Sequence, residues 1–394
     1  MRINIFKAKS LYVLIIVLVI SSLLYINLTN NFKNRREITT IIEENNSLGE
    51  ILKIASPSEP IYINNNWSAA KAAGICTGSG TYNQPYLIED LVIDGGGSRS
   101  CILIENSIVH FIILNCTVFN SGGSPHLLHA GIHLAFVSNG QIINNTCFSH
   151  THGILFSARC TEDKVKGNYV ANNEIGIRTY YEGDFNTFSS NIVINNNEGI
   201  SIDGDNNNII NNNATHNSVG ISIIGSRNTI KKNYLKNNIQ GVNLIESGRN
   251  TISENDASFN THSGIRLSQS SRNIISGNTV NNNTVAGLYL SYESNTNTIS
   301  SNHATNNEYG IYLITTRDNV ISGNYLGGNE VCVFERDCQG NEFSDNSGCD
   351  YGESDDNILL YVILIVGGVS VIGAITIIEI RKVRKRKESR EANS

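Results

Sequence analysis

Two carboxylates, Glu182 and Asp205, each lie six residues past a glycine, Gly176 and Gly199, and those glycines are 23 residues apart. In a chain that coils with that period, the two side chains stack about 5 Å apart on neighbouring turns. A pair at that spacing raises the pKa of one member or recruits Ca²⁺. It is also about the separation a retaining glycosidase uses. Asp203 sits two residues before Asp205, and Arg178, Tyr180 and Tyr181 lead into Glu182, so acids, a guanidinium and two phenol rings share this stretch. The competing account is a pair of acids splayed into solvent at loop tips of an acidic protein, which is the commoner outcome. Catalytic candidates are therefore Glu182, Asp205 and Asp203.

A second constellation lies further along. Tyr289 and Tyr312 each stand two past a glycine, Gly287 and Gly310, with Arg266 two past Gly264. Alternation along a strand turns these side chains outward, which predicts two stacked rings about 5 Å apart, offering a sugar both an apolar face and hydroxyl partners. Arg178, Tyr180, Tyr181, Arg266, Tyr289 and Tyr312 are the ligand-binding candidates; a cross-strand aromatic pair serving only stability is the plainer account. Copper would favour Cys, Met and His, and the chain has one methionine and no CxxC. Its best histidine cluster is His126, His129 and His133, with His150 and His152 one turn on. Histidines without a metal are commoner, so no metal site is assigned, and Ca²⁺ is the one ion the acids could attract.

Positioning these groups falls to a repeat. A glycine followed by an aliphatic, any residue, and usually another aliphatic recurs at Gly131, Gly153, Gly176, Gly199, Gly220, Gly241, Gly264, Gly287 and Gly310. Between these lies a second signal, Asn-x-aliphatic-x-x-Asn, as at Asn186…Asn191, Asn208…Asn213, Asn228…Asn233 and Asn250…Asn255. Each repeat has short β-type stretches and cannot bury its apolar face alone, so coil must stack on coil. Asn suits left-handed corners and can bond to the Asn above and below. Leucine-rich repeats would need Leu at most core positions, where Ile, Val and Asn dominate. The pattern predicts an all-β solenoid, a right-handed parallel β-helix of about 12 coils over residues 61–350, with a short capping helix at Ser68–Ala73. Ser121–Ala130 reads as an insertion. Of the glycosylation-type sequons, Asn115 and Asn213 are expected to point inward.

These repeats resemble those of the NosD-like family, which overlaps the carbohydrate-binding and sugar-hydrolase β-helix proteins. The segment from Gly78 to Asp94 resembles the start of such domains in archaeal surface proteins. The resemblance covers about residues 61–346 and rests on core and corner positions. It implies glycan binding, glycan cleavage or an accessory role in copper-enzyme maturation. The catalytic motifs of polygalacturonases and alginate epimerases are absent from the repeats.

Two apolar runs flank the repeats. Residues 11–28 read as an uncleaved signal anchor after a 1–10 cytoplasmic start, and 358–380 as a second transmembrane helix whose core, 358–378, has no charge. Arg381, Lys382, Arg384, Lys385, Arg386, Lys387 and Arg390 follow it, placing both termini in the cytoplasm and the repeats outside. Residues 29–60 and 351–357 are then linkers. Of 29 basic residues, three precede the first run and seven follow the second, leaving 19 in the external part; of 35 acids all but three lie there, for a net charge near −13. That repels nucleic acid, and an anionic polysaccharide would need help from a cation. All eight cysteines lie in the external part. Cys101, Cys116 and Cys147 read as small buried apolar residues, while Cys332, Cys338 and Cys349 are disulfide candidates closing the C-terminal end, Cys338 pairing with one of the other two.

The resulting expectation is a cell-membrane protein whose external β-helix binds or scaffolds glycan or envelope partners without catalysis. The alternatives are a polysaccharide hydrolase or lyase using the Glu182 region, and a NosD-like accessory protein.

Overall fold

The structure, a computed structural model, describes residues 58–122 and 128–349, and the backbone of Ile365–Val366 and Val369–Ser370. Twelve parallel strands, from Ile61–Asn64 to Val331–Arg336, stack into a first sheet, and twelve more, from Tyr86–Glu89 to Glu342–Ser344, into a second. A third sheet of six strands runs from Val92–Asp94 to Asn213–Thr215 and continues as single bridges through Tyr234, Asp256, Thr279, His303, Tyr325 and Ser347. Twelve strands give eleven steps, a rod about 53 Å long at about 4.8 Å per step.

One coil shows why the residues fold this way. Ile200 and Ile202 point inward from Glu198–Asp203, Ile209 from Asn208–Ile210 and Ala214 from Asn213–Thr215, and all are at most 1% exposed. The repeat glycine is forced by proximity: a Cβ on Gly199 would lie 2.5 Å from the carbonyl oxygen of Gly220 on the next coil. Three inward asparagines mark the three corners. Asn207, Asn212 and Asn217 each donate a backbone N–H to the side-chain oxygen of the next coil's ladder residue, Asn228, Asn233 and Asn238, at 2.8–2.9 Å. The ladders thus carry most of their polar groups through the core bonded, as burial demands, with Asn207 Nδ2, Asn283 Nδ2 and Asp163 Oδ2 left without a partner.

Two corrections concern the corners. The left-handed residue is the one before each ladder asparagine, as at Asn206, Asn211 and His216 with φ of 57°, 57° and 58°. Even Phe259 adopts it, because the hydrogen bonds on both sides over-determine the turn. In the run Asn206–Asn208 the ladder members are Asn207 and, five on, Asn212, one residue earlier than the spacing predicted. Asn115 is accordingly exposed and Asn213 half-buried, with Cys116 and Asn212 taking the inward positions.

The helix Trp67–Ala72 covers the N-terminal end, with the Trp67 ring stacked on Tyr86 at 4.8 Å and its indole N–H donating to Ser107. At the other end Cys332 and Cys349 form a disulfide. Cys338, expected to be one partner, remains a thiol, 3.4 Å from the Thr316 hydroxyl. It follows the Val331–Arg336 strand and stacks on the coil before it, whereas Cys349 returns to the strand's start. Cys101, Cys116 and Cys147 are buried thiols, as are Cys76 and Cys160; burial pushes Cys101 up to about 12 and Cys116 to about 11.

The expected anchor at 11–28, the tails and most of 358–380 lie outside the described residues. Among the described residues no helix is long and apolar enough to cross a membrane. Ile365–Val366 and Val369–Ser370 pair as antiparallel strands, not as the helix expected there. An apolar run of β-branched residues has no periodicity to separate helix from strand.

Candidate functional site

The outer face of the first sheet gathers most of the chemistry. Its central ladder runs Leu103, His133, Leu155, Arg178, Ser201, Ser222, Asn243, Arg266, Tyr289, Tyr312 and Phe334, one residue per coil. Tyr289 and Tyr312 stack with centroids 5.0 Å apart and planes 19° apart. Leu288, Leu290, Ile311 and Leu313 fill the core behind them. Two rings absent from the sequence reading extend the platform: Tyr309 stacks on Tyr312 at 4.6 Å, and Phe334 tilts against Tyr312 at 5.0 Å. Both were legible as ladder neighbours, Phe334 by counting one coil past Tyr312. His262 lies along the other side of Tyr289 at 5.8 Å, and the Arg266 guanidinium sits 5.6 Å from the Tyr289 ring centre. An open cavity of about 500 Å³ adjoins this end, lined by residues that include Asn282, Asn306, Asn307 and Glu308.

Polar atoms without a protein partner concentrate here. Asn243 Oδ1, His262 Nδ1, Ser263 Oγ and Arg266 Nε are all buried and unpaired. Leaving such atoms unmade costs on the order of 1–3 kcal/mol each, so the patch is poorly explained by fold stability. Burial lowers the His262 pKa, and the Arg266 charge adds to that.

The acidic stretch is built differently from its expected geometry. Glu182 is ion-paired with Arg159 at 2.8 Å, both side chains exposed. Asp205 is aligned with Asp184: its N–H donates to Asp184 Oδ1 at 2.7 Å, and its own Oδ1 accepts from the Ser226 N–H at 2.7 Å. Equal offsets from the glycine fail because Gly176 precedes its ladder residue Asn186 by ten positions, whereas Gly199 precedes Asn207 by eight. Tyr181 and Glu182, both left-handed at φ 58° and 57°, take up the difference in the longer loop. Asp203 donates its N–H to the Thr179 hydroxyl at 2.8 Å. Glu182 thus reaches back to Arg159 on the preceding coil, while the Asp205 carboxylate reaches forward to Ser226 on the next. Tyr180 and Tyr181 do meet, hydroxyls 3.1 Å apart, with Arg178 4.8 Å from the Tyr180 ring centre.

The histidines lie on the first coils. His133 is on the outer ladder, as expected, but only 7% exposed, its Nε2 bonded to the Ser157 hydroxyl at 2.7 Å. The chain at His129 folds back over it, with the His129 carbonyl 3.4 Å from His152 Nδ1. His150 belongs to a corner ladder, bonded to Ser121 and to the Val118 carbonyl. Burial lowers the pKa of His133 to about 4 and that of His150 to about 4, and lowers that of His152. His126 lies outside the described residues. Among the described residues no three His, Cys, Asp or Glu are placed to hold a metal ion.

The family described as "Right handed beta helix region" matches residues 197–326, and that described as "Periplasmic copper-binding protein (NosD)" matches residues 55–243. The chain is a right-handed parallel β-helix protein. No curated protein matches it. Among solved structures, the Dettilon tailspike protein is 15% identical with a TM-score of 0.45 over 62% of this chain, which spans 55% of that one. The Azotobacter vinelandii mannuronan C-5 epimerase AlgE4 A-module is 14% identical with a TM-score of 0.47, covering 76% of this chain and 99% of that one. The periplasmic alginate epimerase AlgG is 16% identical with a TM-score of 0.41, covering 76% and 88%. Copper, which the NosD description carries, does not fit the described residues: His150 has both ring nitrogens bonded, His133 one, and the thiols of Cys101, Cys116 and Cys147 are spent in the apolar core.

Proposed function

We propose that this is an extracytoplasmic β-helix protein, tethered to the membrane, whose first-sheet outer face binds glycan without cleaving it. The observation that carries this reading is the Tyr289–Tyr312 stack, with Tyr309 and Phe334 extending it. Flat, amphipathic rings on a rigid sheet give a sugar an apolar face and hydroxyl partners at small ordering cost. The carboxylates of Glu182 and Asp205 are engaged by Arg159 and by the Ser226 N–H, contacts that suit a structural role. The tether is inferred from the apolar residues 11–28 and the uncharged run 358–378 followed by seven basic residues.

The test is a glycan array probed with the full-length protein and with Tyr289→Ala/Tyr312→Ala. The double variant should keep its melting behaviour within the range of a surface change and lose glycan retention. Unchanged retention by the double variant would mean the rings serve only the sheet. Protease added to intact cells should remove the repeats and spare the basic tail; a protected repeat domain would exclude the external placement.

A further inference from the structure

The outer ladder has two similar poles. Arg178 with Tyr180 and Tyr181 forms one; Arg266 with Tyr289 and Tyr312 forms the other. Between them lie only Ser201, Ser222 and Asn243, one per coil and in unbroken register. Four coil steps separate the arginines, about 19 Å along the rod axis.

Neither arginine has a carboxylate partner among the described residues. The described ion pairs involve Arg159, Lys231, Lys232 and Lys236, and none involves Arg178 or Arg266. What sets these two apart is their place on the outer ladder, each beside a tyrosine ring. Arg266 Nε is buried without a partner, and Asn243, 6% exposed and next to it in register, has an unpartnered Oδ1. At the Arg178 pole, Glu182 pairs with Arg159 rather than with Arg178. A guanidinium fork matches planar or tetrahedral oxyanions through paired, charge-assisted hydrogen bonds.

We infer that the ligand is an extended glycan chain bearing anionic groups, carboxylate or sulfate, which lies along the rod axis and is held at both ends, by Arg178 and by Arg266, with the serine strip as its floor. This rests on the reading of Tyr289 and Tyr312 as a glycan platform. The two arginines supply local positive charge inside an acidic surface, so the chain needs no bridging cation. A ligand long enough to engage both poles gains from the second contact as an intramolecular event.

The experiment titrates the full-length protein with carboxylated, sulfated and neutral oligosaccharides of graded length, in chelator, against Arg178→Gln, Arg266→Gln and Tyr289→Ala/Tyr312→Ala. Anionic chains should bind about tenfold or more tighter than neutral ones of equal length, the scale of one charge-assisted hydrogen bond. Affinity should step up once the chain reaches about 19 Å. Arg178→Gln and Arg266→Gln should each erase that step, and each should weaken the binding of short anionic chains at its own pole. The carboxylated and sulfated arms decide which anion the forks prefer. Neutral and anionic chains binding equally through the tyrosines, or no step with length, would overturn this inference alone. No binding of any glycan would overturn the platform reading beneath it.

Discussion

Asp163 stands in an asparagine ladder directly before Asn186, to whose side-chain oxygen it donates its backbone N–H at 2.9 Å. Its own Oδ1 accepts from the Gly140 N–H, as a ladder asparagine's oxygen does. The other carboxyl oxygen occupies the place of an amide NH₂. Asn186, one coil on, uses that NH₂ to reach the Cys160 carbonyl at 2.8 Å. Asp163 Oδ2 has no partner and is buried. No donor meets an ionised carboxylate there, and burial holds the pKa well above the ordinary range.

Asp163→Asn should therefore stabilise the protein at neutral pH. The new amide makes the ladder bonds without needing a proton. In the native protein, a folded pKa above the unfolded value near 3.9 gives stability that is complete below that value and is lost as pH rises toward the folded pKa. Denaturant midpoints at pH 7.5 should rise on substitution by the equivalent of about 1 kcal/mol or more. An equal or lower midpoint would mean that Oδ2 already has a donor.

The middle of a ladder should be far more sensitive. Asn255 accepts from the Asn233 N–H and donates to Asn278 Oδ1 and to the Ile230 carbonyl, at 2.9 Å in each case. Asn255→Ala strands groups on two neighbouring coils in a dry core, at a cost of about 3–5 kcal/mol from several orphaned bonds. Asn282→Ala, at an exposed corner with φ 55°, should cost only the left-handed backbone penalty, about 1–2 kcal/mol. Equal effects from chemical denaturation would show that the ladders contribute no more than surface amides.

Sequence legibility divides along the same line. The first-sheet register was readable because each glycine is fixed by the coil above it, so offsets of two hold from His133 to Tyr312. The third ladder was missed, although Asn186, Asn191 and Asn196 continue one five-residue step. Beyond the strand, offsets stop working: loops between the first and second sheets vary in length, which separated Glu182 from Asp205. The burial of His133 was not readable, since it depends on an insertion that carries no repeat. Cys338 was misassigned because proximity in sequence says nothing about which cysteine returns to the strand's start.

The disulfide yields a local prediction. Cys332 and Cys349 are 17 residues apart, and closing that loop contributes about 3 kcal/mol in the chain-entropy account. Among the described residues the two sheets end at Val331–Arg336 and Glu342–Ser344, and Phe343 is 38% exposed. Cys332→Ser should thus raise hydrogen exchange across Val331–Arg336 and Glu342–Ser344 while sparing the middle coils, as nearest-neighbour stacking requires. Cys338→Ser should leave exchange there unchanged. Faster exchange in the Cys338 variant alone would reassign the bond.

The buried histidines set a pH dependence opposite in sign to that of Asp163. His133 and His150 are each held near 4 by burial, with His152 and His129 adding to the effect at His133. Their folded values lie below the unfolded value near 6.5, so the stability they contribute is complete above about 6.5 and is lost as pH falls toward 4. Each contributes up to about 1.4 kcal/mol per pH unit inside that window. Between roughly pH 4.5 and 6 the two histidines pull stability upward with pH while Asp163 pulls it down. His150→Asn, which places an asparagine before Asn173 in its own ladder, should flatten the slope by up to one proton's worth. Asp163→Asn should steepen it by a similar amount. Denaturant unfolding of the three proteins at closely spaced pH values reads these slopes directly, independent of any change in absolute stability. A His150→Asn slope equal to the native one would show that the ring is protonated in the folded state, which its bond from Nε2 to the Val118 carbonyl would then have to explain.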